Sequence, residues 1–231
     1  MQKTIIVILL LLEASCSVYA QLGRVLRSVD EVEILGGPSL ISIRGVEFED
    51  YIKKKVGYTV GIGGKWHIKN RTALKSYLIF ERKGFNQKVD VNYFDEDLQP
   101  QKGKLDYTWN LNYATIPIVL QQYFDKRNSF FIETGPYFSY LLKGQSIASY
   151  SWRDGKEFGD LKKMVRNFDL GLNFFLGYKI PFNDNNLFIE MRIETNYGLI
   201  DIYAYSNELS FRNHLVSFDV SVGKNFKNNN L

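Results

Sequence analysis

The sequence is poor in the residues that most often build disulfides, metal centres and catalytic sites. Its 231 residues include one cysteine, Cys16, and two histidines, His67 and His214. A single cysteine excludes a disulfide framework within the chain, and two widely separated histidines do not give the ligand spacing of a metal site. The GxSxG motif of serine hydrolases does not occur either. We therefore expect no catalytic residues, no metal ion and no other cofactor.

Long apolar segments are also scarce, because the one continuous run, residues 5–12, lies near the beginning of the chain. It follows a lysine and precedes small residues, which is typical of a signal peptide, and it is too short for a transmembrane helix of ~20 residues. We expect residues 1–20 to be removed by cleavage before Gln21, and residues 21–231 to form one domain. Lipid modification of Cys16 is the alternative, although the residues before it fit that motif poorly.

A strong charge of one sign is lacking as well. The 29 basic and 25 acidic residues are mixed along the chain and leave a formal net charge of +4. Nucleic-acid-binding domains concentrate basic residues in a patch or stripe, so we expect no nucleic-acid partner. Aromatic residues, by contrast, are abundant at 15% of the total, mostly Phe and Tyr. This content suits the aromatic girdles of a membrane protein, and it also suits the core of a soluble β-sandwich.

The clearest pattern lies in residues 167–202, where two arms of alternating apolar and polar side chains flank the turn-forming residues 183–186. A period of two is that of β-strands, and the asparagine-rich turn predicts a tight antiparallel hairpin. One face of each arm carries Leu, Phe, Ile and Tyr, whereas the other is small, polar or charged. This arrangement is typical of a strand with lipid on one side and a polar lumen on the other.

The same alternation predicts eight strands, separated by connections that are alternately long and short. An even strand number with all long connections at one end is typical of bacterial outer-membrane barrels and places both termini in the periplasm. The sequence therefore predicts an all-β fold, an eight-stranded antiparallel up-and-down transmembrane β-barrel. A secreted lipocalin-like barrel, with its apolar side chains inside, is the soluble alternative. The predicted strands cover about residues 32–43, 56–68, 72–85, 105–124, 129–142, 167–182, 187–202 and 214–226.

The first predicted strand is the least regular. Its alternation is interrupted by Gly36, Gly37 and Pro38. Glycine inside a strand often marks a bulge, and proline is confined to edges and bulges because it has no N–H to donate. We therefore expect a bulge or an edge here, near the closure of the barrel.

Several segments resemble the PorT-type outer-membrane β-barrel family of Bacteroidota. They are FERKGF at residues 80–85, YATIPIVLQ at 113–121, FFIETGPYFSYLLKG at 130–144, both arms of the hairpin, and FDVSVGKNF at 218–226. The resemblance covers most of the chain after the signal peptide and implies an eight-stranded outer-membrane barrel. It implies little about activity, although the family's namesake is associated with the type IX secretion system.

Charged residues on the inward face of the predicted strands are the first candidate site. The interior of an eight-stranded barrel is just wide enough for side chains to fill, and buried charges must be paired. We therefore expect a structural network of ion pairs rather than the alternative, an ion path or polar binding pocket. The residues assigned to this network are Lys65, Glu133, Asp169, Lys179, Glu190, Arg192, Glu194 and Asp219.

The long connections are the second candidate, since binding residues lie disproportionately on loops. Residues 143–166 present Tyr150, Trp152 and Phe158 among charged residues. Such aromatic residues fit an outer-loop site for a protein or a glycan. Equally, they fit packing on extensions of the strands, or a position level with lipopolysaccharide.

We therefore expect a non-enzymatic integral outer-membrane protein, either structural or a binding and assembly partner in envelope or type IX secretion machinery. Outer-membrane lipid and lipopolysaccharide are the expected surroundings, with envelope or secretion-system proteins as further partners. A small passive pore is one alternative. A lipid-modifying enzyme is another, but His67 and His214 are predicted at opposite ends of the barrel, and neither belongs to a recognisable catalytic motif.

Overall fold

The computed structural model describes residues 29–45, 52–94, 97–182, 186–204 and 210–226. The predicted signal peptide and Cys16 lie outside this part of the chain. Within it, no helix is long and apolar enough to cross a membrane. The strands are β1 (Glu31–Arg44), β2 (Ile52–Lys53), β3 (Lys55–Lys69), β4 (Thr72–Phe94), β5 (Pro100–Tyr123), β6 (Phe130–Tyr150), β7 (Lys156–Asp160), β8 (Phe168–Phe182), β9 (Leu187–Gly198) and β10 (Arg212–Asn225).

Eight long strands close into a ring in the order β1–β3–β4–β5–β6–β8–β9–β10, and every neighbouring pair is antiparallel. The first strand closes the ring by pairing with the last, so that Leu35 lies opposite Gly61 of β3 and Ser221 of β10. The predicted eight-stranded up-and-down barrel is therefore confirmed. We call the end with the short connections the turn end, and the opposite end the loop end.

The side chains of the ring alternate between an apolar outer face and a largely polar inner face. Large apolar side chains cover the outside, for example Ile62, Leu78 and Val222, which are each more than half exposed. Their neighbours in the chain point inward, and many of these are charged and buried, such as Lys65 and Glu133. An apolar outside and a charged inside suit a barrel in lipid, and they are the reverse of the lipocalin-like alternative.

Three strands continue beyond the barrel at the loop end, where the sequence alone predicts polar connections. The hairpin of β4 and β5 stays paired from Asn86–Thr108 to Phe94–Pro100. Beyond the barrel β6 reaches Tyr150, and β7 folds back to pair with its residues 145–149. We call these four segments, residues 86–94, 100–108, 143–150 and 156–160, the extension sheet. Strands in water need no continuous apolar face, which is why a polar sequence forms them.

The expected bulge or edge in β1 is wrong. The register from Gly36–Val60 to Pro38–Tyr58 runs without a shift beside β3. Beside β10 the pairing lapses at Gly37 and Pro38 and resumes in the same register at Ser39, so β1 has a strand on either side and no bulge. Instead, Gly37 allows β1 and β10 to approach closely, because a Cβ at this position would lie 1.9 Å from the carbonyl oxygen of Phe218 in β10. The register shifts that the structure does show lie between β3 and β4 and between β5 and β6.

Candidate functional site: the lumen and the loop end

All eight charged residues assigned inward from the sequence lie in the lumen. Lys179 at the turn end keeps 12% of its side chain exposed, and the other seven residues are at most 1% exposed. Sequence analysis missed five further buried charges, namely Glu31, Glu33, Lys75, Glu81 and Lys83. Lys75, Glu81 and Lys83 occur at even spacing in β4, and that spacing was the signal that could have placed them on the inward face.

In the half of the lumen towards the turn end, cations and carboxylates are equal in number. The Lys75 ammonium is the centre, because its Nζ lies 2.7 Å from Glu33, 3.0 Å from Glu133 and 2.8 Å from Glu190. Arg192 lies between Glu33 and Glu133 and donates a hydrogen bond to the Tyr77 hydroxyl. Each carboxylate is thereby compensated inside a space that excludes water, as buried charges require.

Glu31 completes this half at its outermost point. Its carboxylate contacts Lys65 and accepts hydrogen bonds of 2.8 and 2.7 Å from the Lys179 ammonium. Lys65 in turn donates a hydrogen bond of 2.8 Å to the Tyr123 hydroxyl. The turn-end half therefore carries no surplus charge, and its contacts join seven strands of the ring.

The half towards the loop end is built differently. Among the described residues, Lys83 is its one fully buried cation and lies 3.1 Å from Glu81 and 3.0 Å from Asp169. Glu194 and Asp219 have no cationic nitrogen within salt-bridge distance in the described part of the chain. Hydroxyl and amide groups hold them instead, since Asn173 donates to Glu194 at 3.1 Å and Ser217 to Asp219 at 2.6 Å.

Above these charges, an apolar plug fills the loop end. It consists of Ile43, Phe85, Trp109, Leu111, Tyr113, Leu141, Leu161, Val165 and Ile202, all of them buried. The last three belong to connections between strands that fold back into the mouth. Backbone hydrogen bonds fix them there, from Leu161 N–H to Gly144 O at 3.1 Å and from Arg166 N–H to Ile202 O at 2.7 Å. These side chains occupy the lumen at this end.

The three aromatic residues predicted for an outer-loop site have different surroundings. Trp152 stacks on Tyr93 with ring centroids 4.4 Å apart and meets the edge of Tyr150 at 5.1 Å, so these residues pack on the extension sheet. The Tyr150 hydroxyl donates to Glu157 at 2.7 Å, which raises the pKa of Tyr150 and lowers that of Glu157. Phe158, on β7, is 65% exposed.

The two histidines lie at opposite ends of the barrel, as expected. His67 is beside Asp30 at the turn end, with Nδ1 3.2 Å from Oδ2, and His214 pairs with Tyr197 towards the loop end. Among the described residues, no group of three or more His, Cys, Asp or Glu side chains is arranged to hold a metal ion.

A closed antiparallel ring with an apolar exterior and a charged interior defines a transmembrane β-barrel. Residues 30–204 match the family model described as "Outer membrane protein beta-barrel domain". The chain belongs to this family and is an outer-membrane β-barrel protein.

Several solved structures are similar to this chain at low sequence identity. Ail of Yersinia pestis is 10% identical, with 84% of this chain and 99% of that chain covered and a TM-score of 0.37. OprG of Pseudomonas aeruginosa is 13% identical, covering 86% and 97% with a TM-score of 0.37. Outer membrane protein W of E. coli is 12% identical, covering 86% and 99% with a TM-score of 0.36. No curated protein matches the sequence.

Proposed function

We propose that the protein is a non-enzymatic, non-conducting barrel that binds another envelope protein through its loop end. One observation carries this proposal: charged side chains and the apolar plug fill the lumen, while the extension sheet stands free beyond the barrel. A filled lumen favours a structural or binding role over transport. In this arrangement both termini face the periplasm and the loop end faces outward.

The exposed apolar residues of the extension sheet and its hairpin turn support a protein partner. Phe94 is 70% exposed, Leu98 is 78% exposed and Phe158 is 65% exposed, although all three lie beyond the barrel. Phe94 and Leu98 lie at the tip of the β4–β5 hairpin, whereas Phe158 lies level with Asn86 at its base. Apolar side chains exposed to water often mark sites of interaction. The resemblance to the PorT-type family leads us to propose a component of the envelope or of type IX secretion as the partner.

Site-specific crosslinking in cells tests this proposal. A photoreactive residue at Leu98 or Phe158 is expected to form an adduct with one protein partner, because both side chains are exposed at the loop end. The same probe at Lys126, on the turn end, is the control and is expected to form no such adduct. Adducts are read on gels, and the partner is identified by mass spectrometry.

A Leu98→Ser, Phe158→Ser variant should lose the adduct formed from a probe at Phe94 while keeping its heat-modifiable mobility in SDS gels. An adduct that persists in this variant, or that forms equally well from the control position, would contradict binding at the loop end.

The passive pore makes the opposite prediction in a planar bilayer. We expect the wild-type protein to give no stable conductance steps, because Lys75 and its three carboxylates fill the turn-end half and the plug occupies the other end. Reproducible steps of one size would show a continuous path and would overturn the filled-lumen argument. Heat-modifiable mobility of the same preparation confirms that folded barrels were tested.

A further inference from the structure

A cavity of about 660 Å³ opens at the turn end, separate from the loop-end site. This volume is that of a pocket for a small organic ligand. Lys69 and Arg127 contribute to its wall, as do His67 and Lys179. Glu31 is the one carboxylate among the lining residues. Three cationic side chains thus face the cavity against one acidic side chain.

The acidic residue is already neutralised. Glu31 contacts both Lys65 and Lys179. These two lysines compensate its negative charge, so it does not cancel the charge of the other cations in the lining. Lys69 and Arg127 have no acidic partner within salt-bridge distance in the described ranges. The two surplus charges of the lining therefore lie on these residues.

The turns that carry Lys69 and Arg127 are built to hold them at one mouth. The Asn128 side-chain amide donates a hydrogen bond of 3.0 Å to the carbonyl oxygen of Asn70, which ties the turn between β5 and β6 to the turn between β3 and β4. Lys69 and Arg127 each precede one of these tied residues. Their side chains thus belong to one surface fixed by a contact between turns.

The carboxylate of Asp125, in the same turn, accepts hydrogen bonds from backbone N–H groups rather than from the Arg127 guanidinium. Asp125 Oδ1 accepts hydrogen bonds from the N–H groups of Ser129 at 2.7 Å and Phe130 at 2.9 Å, and Oδ2 accepts from the Arg127 N–H at 3.2 Å. The turn is thereby ordered while the Arg127 guanidinium keeps its donors. Guanidinium and ammonium groups both bind phosphate through charge-assisted hydrogen bonds, and both line this cavity.

We propose that the turn-end cavity binds a phosphomonoester dianion. Its two negative charges match the two surplus positive charges of the lining, and the cavity has room for the organic group that carries the phosphate. The phosphate belongs either to a small soluble molecule or to the headgroup of a phosphomonoester lipid in the adjoining leaflet, because the exposed Ile68 side chain also lines the cavity.

Calorimetry with glycerol 3-phosphate and the full chain in zwitterionic detergent tests the soluble source. We expect saturable binding of one molecule per chain, weakened about tenfold or more in Lys69→Gln, Arg127→Gln, because both charge-assisted contacts are lost. Arg71→Gln, Lys126→Gln is the matched control. It removes two positive charges from the same two turns, but neither residue lines the cavity, so its affinity should stay close to that of the wild type.

Nanodiscs test the lipid source. If the lipid is the ligand, native mass spectrometry should find phosphatidic acid, but not phosphatidylcholine, retained by the wild type and the control variant and lost from Lys69→Gln, Arg127→Gln. Retention in nanodiscs without binding of glycerol 3-phosphate supports the lipid, and the reverse supports the soluble ligand. Binding of neither probe, or equal weakening in both double variants, would overturn the proposal.

Discussion

A Lys75→Met variant is expected to lose most of its resistance to SDS and heat. The substitution keeps the apolar stem of the side chain but removes the ammonium that lies within 3.0 Å of Glu33, Glu133 and Glu190. Breaking a buried ion pair by removing one partner costs about 3–5 kcal/mol, since the remaining charge is left uncompensated. Here three carboxylates lose their shared partner, so the loss should lie at the upper end of that range.

Unfolding by urea in detergent micelles, followed by tryptophan fluorescence and heat-modifiable mobility, measures this effect. Lys126→Met, in an exposed turn, is the control and should unfold like the wild type. Glu190 keeps only Lys65, at 3.7 Å, when the Lys75 ammonium is removed. Adding Glu190→Gln to Lys75→Met removes the resulting excess of negative charge and should recover part of the lost stability, as a double-mutant cycle would show. A Lys75→Met barrel with wild-type stability would mean that the network contributes little to the fold.

The second large effect is expected at the closure of the ring. In Gly37→Ala the new methyl group would lie 1.9 Å from the carbonyl oxygen of Phe218, a backbone atom that cannot move without separating β1 from β10. Overpacking of this kind costs about 1–3 kcal/mol and occasionally more. Because Gly37 lies in the seam that joins the first strand to the last, we expect a large fraction of the protein to fail to assemble.

Gly36→Ala is the natural control, because it is the adjacent residue of the same strand. A Cβ there would lie 3.4 Å from its nearest neighbour, the Thr59 carbonyl oxygen, which is ordinary contact. The yield of heat-modifiable protein in outer-membrane fractions compares the two variants. Equal yields would show that β1 and β10 separate at little cost, contrary to the close packing seen at Gly37.

The membrane-spanning part of the fold could be predicted because two solvents impose opposite demands on alternate residues. In β8, lipid requires Leu172 and Leu176 on one face, and the narrow lumen suits Asn173 and Gly177 on the other. A period of two that persists along a whole strand is improbable without this constraint. Strand number and pairing follow from it, since a barrel in lipid must close.

The pattern is weaker in β4, where prediction missed three charges of the lumen. Ile79 points inward between Leu78 and Phe80, and Arg82 points outward next to the buried Glu81 and Lys83. Apolar and charged side chains thus occur on both faces, so that alternation does not separate the lumen from the lipid. Ion pairs such as Lys75–Glu190 and Lys83–Asp169 link residues of distant strands, and neither spacing nor composition encodes such contacts.

Prediction also ended β4 and β6 too early and began β5 too late, because beyond the barrel the apolar constraint no longer applies. Residues 88–94 alternate polar and apolar side chains in a short β-forming sequence that polarity alone assigns to a loop. Likewise, the burial of Leu161 and Ile202 in the plug depends on how two connections fold over the mouth. These are tertiary contacts, which the local pattern of apolar and polar residues does not reveal.

The pairing of β1 with β10 also governs the order of folding. Arg44 lies opposite Arg212, and Glu31 opposite Asn225, so the ring cannot close until nearly the whole chain has been made. Contacts so distant in sequence are slow to form, because the entropy of bringing the ends together is lost before any contact is gained. A nascent or truncated chain would leave two open edges ready to pair with other chains. The open edges of the chain therefore need shielding until its last strand has paired with the first.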